Sequence, residues 1–268
     1  MANPALGGRF EFGRVIERTF KTVAQNFVTF LLLSALLTGI PAIVGGWFAL
    51  HYRLGLRGLL TGAAVPPLAA VTSGFGLVAA IGVVNAIATA VLQAALIYGT
   101  VAFLNGRRAD FGECVAVGLR YCLWLIVLVI VMGFAELFGF VFFIVPGVMM
   151  MLAWIVAVPV LVVERKGVFG SIGRSAELTR NHRWAILGLV FLYAIVSSII
   201  QQALGATVIA AMRANAFSPV VLTSQLIITT LARIVFGVVS TAGVASIYYE
   251  LRSAKEGIGP EALASVFD

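Results

Sequence analysis

Histidine and cysteine are nearly missing from this sequence, at two of each in 268 residues. That scarcity limits the chemistry available. A zinc site needs three or four Cys, His or carboxylate ligands converging on one point, and the sequence offers no such grouping. Cys114 and Cys122 lie about 12 Å apart by helical rise, beyond disulfide reach, and read as free, buried thiols. P-loop and serine-nucleophile patterns are missing too. The chain is read as a non-enzyme with no metal and no cofactor.

Charge is the second shortage. Only 11% of residues are charged, against about a quarter in an ordinary soluble domain. In their place 61% are hydrophobic, and the mean hydropathy is +1.07. Runs of roughly twenty apolar residues recur along the chain, the mark of membrane-spanning helices. The short alternating segments of a membrane β-barrel do not occur. The expected fold is all-α, a polytopic membrane protein with six transmembrane helices and short cytoplasmic interfacial helices. A net charge of +7 does not call for nucleic acid, because the cations fall in short clusters between apolar runs.

The spans are expected at about 27–50, 74–104, 120–140, 144–163, 184–211 and 219–249, within one integral membrane domain covering 1–268. Residues 1–26 form a cytoplasmic amphipathic segment and 250–268 a cytoplasmic tail. No cleavable signal is expected, since Glu11 and Glu17 precede the first apolar run. Residues 121–163 hold a single charge, Glu136. Their helical length is about twice the bilayer core, so the chain must turn back inside them. The breaker pair Pro146-Gly147 puts that turn between Phe142 and Gly147. The stretch 51–73 is the one sizeable outer loop, broken by Pro66-Pro67.

Lysine and arginine set the orientation. Arg9, Arg14, Arg18 and Lys21 fall on the same side as Arg107, Arg108 and Arg120. The cluster Arg165, Lys166, Arg174, Arg180 and Arg183 joins them, with Arg252 and Lys255. Only Arg53, Arg57 and Arg213 lie opposite. Both termini are therefore expected in the cytoplasm, and His51 and His182 on opposite faces. Three segments on the cytoplasmic side open with Phe-Gly, at 12, 111 and 169, and each leads into a span. In the first, Phe12, Val15, Ile16, Thr19, Phe20 and Val23 share one helical face. They read as an approximate threefold unit of interfacial helix, span out and span back.

Ionisable groups inside a bilayer are the default functional suspects, and Glu136 and Arg233 qualify. Two readings are open: a coupling pair lining a cavity, or a salt bridge locking two spans together. Asn85, Gln93, Gln201, Gln202 and Gln225 either line a path or hydrogen-bond between helices. Gly82, Ala86, Ala90 and Ala94 recur every four residues and predict a closely packed face. That packing lies within the chain or against a second copy or partner membrane protein. Between spans four and five, Arg174, Glu177 and Arg180 share a helical face, with Arg183 just beyond. With the hydroxyls of Ser175 and Thr179 they form a candidate site for a lipid phosphate. The alternative is a basic loop that only sets topology.

Residues 145–184, VPGVMMMLAWIVAVPVLVVERKGVFGSIGRSAELTRNHRW, open a span with Pro-Gly and close it with Pro-Val-Leu-Val-Val-Glu. A Gly turn and an Arg-Ser-x-x-Leu-Thr helix follow, running into Trp. The tail ASIYYELRSAKEGIGPEALA carries Tyr-Tyr-x-Leu-Arg before Glu-Gly. This pattern resembles the membrane domain that accompanies some bacterial glycerophosphoryl diester phosphodiesterases, and related multi-span inner-membrane proteins. The resemblance implies a bacterial inner-membrane anchor or scaffold. It singles out Pro146, Gly147, Pro159, Glu164, Arg174, Ser175 and Thr179. No stretch is long enough to form the phosphodiesterase domain, so no catalytic residue is carried over. The expectation is a scaffold or lipid-associated accessory protein contacting anionic headgroups on the cytoplasmic side. The alternative is a small transporter or channel using Glu136 and Arg233. A solvent-connected cavity at either residue favours the second.

Overall fold

Helix follows apolar run throughout the structure, a computed structural model that describes residues 10–47, 68–213 and 219–256. The elements are α1 (Phe12–Gln25), α2 (Phe27–Trp47), α3 (Leu68–Leu104), α4 (Phe111–Phe142) and α5 (Ile144–Trp154). They continue with α6 (Ala157–Glu164), α7 (Gly167–Thr179), α8 (Arg183–Arg213) and α9 (Pro219–Glu256). No strand occurs among the described residues. Six stretches are long and apolar enough to cross a membrane: Phe27–Trp47, Ala79–Leu104, Phe111–Phe142, Ile144–Glu164, Arg183–Thr207 and Thr223–Glu256. The all-α, six-span expectation is met. The expectations for most of the outer loop and for the tail beyond 256 lie outside the described residues.

Many large apolar side chains point outward, Leu123, Val141 and Phe143 among them. A soluble protein would not leave so much apolar surface in water; a bilayer accepts it, because lipid tails are as apolar as leucine. Cohesion between the spans must then come from close packing and polar contacts rather than from the hydrophobic effect. The core is built accordingly. Ala90 and Ala94 of α3 cluster with Leu125 and Leu128 of α4, Val156 just before α6, Val160 within it, and Tyr248 and Leu251 of α9. The small-residue face is only half used, since Ala86 is exposed and a side chain at Gly82 would meet open space.

Local breaks explain where the rods end. The turn between spans three and four falls on Phe143, which is extended at φ −159° and ψ 136°. Pro146 follows it in the first turn of α5, where a missing N–H leaves no helical bond unmade. Gly147 lets the two arms of that turn touch: a Cβ there would stand 2.7 Å from the Phe140 ring. Further on, Pro159 denies an N–H to the carbonyl of Ile155, and the helix is interrupted between Trp154 and Ala157. Arg165 at φ 57° and Gly167 at φ 71° then reverse the chain, so that α7 folds back on α6.

The threefold unit is only partly realised. Helix α1 is separate from its span, ending where Asn26 Nδ2 donates to the Thr22 carbonyl at 3.0 Å. Helix α7 is separate as well. The middle copy is not: α4 runs unbroken from Phe111, its amino end capped by Asp110, whose carboxylate accepts the Gly112 N–H at 3.4 Å. Nothing between those residues and Phe142 is a strong breaker, and helical glycines cost only about 1 kcal/mol each. The α1 face is also divided. Val15 and Thr19 are buried where α1 packs on α9, whereas Phe12, Ile16 and Phe20 remain exposed.

Candidate functional site

Four of the nine ion pairs among the described residues end on the carboxyl-terminal turns of α9. Glu250 is 2% exposed. It accepts hydrogen bonds from Arg18 and pairs with Arg14 at 3.2 Å, both from α1. Arg18 also lies over the Tyr249 ring, 5.1 Å from its centroid. On another face of α9 the Tyr248 hydroxyl donates to Glu164 at 3.0 Å. Glu164 pairs with Arg174 and Lys166, each at 3.2 Å. Arg174 reaches on to Glu256, and Glu256 accepts from Arg252 at 2.8 Å. The Tyr-Tyr-x-Leu-Arg motif is thus a clamp: two sides hold α1 and the α6–α7 hairpin, and Leu251 between them is fully buried.

This clamp accounts for most of the residues flagged as lipid contacts. Arg174 sits among Glu164, Glu177 and Glu256, so its charge is already neutralised. Ser175 and Thr179 are wholly buried. Their hydroxyls donate to the carbonyl of Ala153, at 2.8 and 3.2 Å, beside the break that Pro159 imposes. The expectation that these three hold a lipid phosphate is therefore corrected: they tie α7 to the end of α5. Pro159 and Glu164 belong to the same joint, and Pro146 and Gly147 to the preceding turn. Arg180 is exposed, and Arg183 is half-buried; of the five flagged residues these two alone have no ion pair with a described carboxylate and no buried hydroxyl bond.

Glu136 and Arg233 do not pair; no ion pair joins them, and they do not share a cavity. That expectation is corrected as well. Arg233 instead lines a cavity of about 470 Å³ between α2, α3 and α9. From α3 come Asn85, Thr89 and Gln93; from α9 come Thr229, Arg233 and Thr241, with Gly237 between the last two. Both sets recur every four residues and so stack on one helical face. Helix α2 adds Thr38, which sits in a π-helical turn over Ala35–Gly39. Such turns are frequent at functional sites. Gly45 and Gly46 bring the three helices together along one wall: Cβ atoms there would stand 2.9 Å from Ile81 and 2.3 Å from Leu226.

The hydrogen bonds decide what the cavity offers. Thr38, Thr89 and Thr229 donate to carbonyls four residues back, at 2.7 to 2.8 Å. Asn85 donates likewise to Ile81 at 2.9 Å. Their oxygens are left as acceptors. Donors left free include the Arg233 guanidinium, the Gln93 amide and the Thr241 hydroxyl, none engaged by any described residue. No carboxylate lines the cavity. It is an open chamber with a mixed polar and apolar lining, where Arg233 is exposed and brings the one positive charge. An arginine within a spanning helix costs about 2.5–3.5 kcal/mol on insertion scales.

Asn85, Gln93 and Arg233 were legible singly in the sequence; the threonines were not. The signal that finds them is the four-residue recurrence of polar groups in both helices. Gln201 and Gln202 line a separate open groove on α8. The cysteines are free and buried, as expected. No group of three or more His, Cys, Asp or Glu that could hold a metal occurs among the described residues. Comparison of the chain with protein-family models, with curated proteins and with solved structures finds no match.

Proposed function

We propose that this chain is a non-enzymatic protein of the bacterial inner membrane that admits an anionic solute to the Arg233 cavity, as a small transporter or channel does. The observation that carries the reading is the guanidinium, without a described carboxylate, in a cavity between three spans that threonines and amides also line. Glu136 has no part in it. The scaffold reading rested on five residues facing lipid, and three of them, Arg174, Ser175 and Thr179, are engaged internally. Of those five, Arg180 and Arg183 support contact with anionic headgroups. A cytoplasmic position for both termini is supported by the distribution of Lys and Arg. An inner-membrane location is supported by the likeness of residues 145–184 and 245–264 to the phosphodiesterase-associated membrane domain.

The test is anion flux into proteoliposomes, using chloride, inorganic phosphate and acetate as probes. At least one should enter faster than into protein-free vesicles. Arg233→Gln should abolish that flux, and Arg233→Lys should retain part of it, because lysine keeps the charge but loses the planar fork. Flux of none of the three, or flux indifferent to Arg233→Gln, overturns the reading.

A further inference from the structure

We propose a second site, separate from the Arg233 cavity: a groove between α5 and α8 that holds one anionic phospholipid, its acyl chain in the groove and its phosphate at Arg183. The groove has a volume of about 200 Å³. One wall is the face Ile144, Val148 and Leu152, about 12 Å long by helical rise. The other is Leu187, and Arg183 and Trp184 close one end. Arg183 is the one charged residue beside the groove, whose own surface is wholly apolar.

Three observations argue for a lipid rather than a protein helix. First, the Arg183 Nε is buried with no hydrogen-bond partner. A buried guanidinium nitrogen left without an acceptor is costly, and phosphate oxygens match its geometry. Second, Glu177, six residues before Arg183, pairs with Arg174 at 3.2 Å, and no carboxylate among the described residues pairs with Arg183. Arg180 stands three residues earlier, exposed and without a partner among the described residues, as a second cation for the headgroup. Third, Trp184, which follows Arg183 and lines the groove, is 83% exposed. Tryptophan is enriched where spans meet headgroups, the place a phosphate beside Arg183 would occupy. Basic pockets between spanning helices take anionic headgroups for these electrostatic reasons.

The experiment measures retention of dioleoyl phosphatidylglycerol and dioleoyl phosphatidylcholine on the purified full chain by native mass spectrometry. Wild type should retain the anionic lipid preferentially. The Arg180→Gln/Arg183→Gln double variant should lose about tenfold in that preference. Val148→Phe, which fills the groove, should weaken retention with both arginines intact. Arg120→Gln, which removes an exposed cation elsewhere, should leave it unchanged. Equal retention of the two lipids by wild type overturns the proposal, as does a loss in Arg120→Gln equal to that in the double variant. Should the double variant fail to fold, a phosphatidylglycerol with a photoactivatable acyl chain decides the matter on wild type. Crosslinks within 144–152 and 183–187 support the site, and crosslinks confined to other helices overturn it. Arg233→Gln leaves lipid retention intact, so failure here and failure of the anion-flux reading are distinguishable.

Discussion

Tyr248 and Glu164 are 84 residues apart in sequence, yet the phenol donates to the carboxylate at 3.0 Å. The bond joins the last span to the end of the fourth. It is one link in a closed circuit through Arg174, Glu256 and Arg252, since Arg252 also reaches the Tyr248 oxygen at 3.5 Å. The circuit holds the hairpin against α9 where lipid gives no hydrophobic drive for helix association.

Tyr248→Phe removes the donor and leaves the carboxylate with its cations. It should lower stability in detergent by about 1.5–3 kcal/mol, the range for a hydrogen bond to a charged group. Glu164→Gln should cost more, about 3–5 kcal/mol, because it strips a mostly buried carboxylate from Arg174. Denaturant unfolding of both variants checks the order; a costlier Tyr248→Phe would contradict the circuit.

Glu250→Gln leaves Arg14 and Arg18 without their shared carboxylate on α9. We expect α1 to loosen while the spans stay formed. Hydrogen exchange should quicken over residues 12–25 and change little over 120–140. Uniform quickening across the chain would mean that Glu250 holds the whole bundle rather than one helix.

The two ends of the helix-packing problem are set by Gly118 and Gly82. A Cβ at Gly118 would stand 2.6 Å from the Val91 carbonyl oxygen, and one at Gly82 would meet nothing within 4 Å. Gly118→Ala should therefore destabilise by about 1–3 kcal/mol through overpacking. Gly82→Ala should be neutral or stabilising by up to about 1 kcal/mol, as relief of helical glycine entropy. Equal effects would contradict the packing described here.

Glu136 and Arg233 are the residues that a pairing hypothesis would join. In their present places a cycle of Glu136→Gln and Arg233→Gln should be additive within about 0.5 kcal/mol. A coupling well above that, measured by thermal unfolding, would show that they meet after all.

The role of the family-like motif was only partly readable. Arg-Ser-x-x-Leu-Thr stood out as a polar helix beside a span, and hydroxyls next to arginines suggested a phosphate. Burial reverses that reading: Ser175 and Thr179 face inward onto a backbone carbonyl, and of the flagged arginines Arg174 is paired while Arg180 and Arg183 are not. A helical wheel does not reveal this, because which face turns inward depends on the Pro159 break and on the hairpin it permits.

Sequence alone determined the class, the number of spans, their approximate limits and the free state of the two cysteines. Those properties depend on local hydropathy and helical rise, which neighbours in the chain supply. Tertiary structure alone decided which charges meet. Glu250 finds Arg18 across 232 residues, and Arg233 shares a cavity with threonines and amides from two other helices, away from Glu136. The physical reason is that an ion pair needs contact within a few ångströms, whereas position along a helix fixes only depth and face. Packing then selects the partner, and in a bilayer small residues and polar contacts do the selecting.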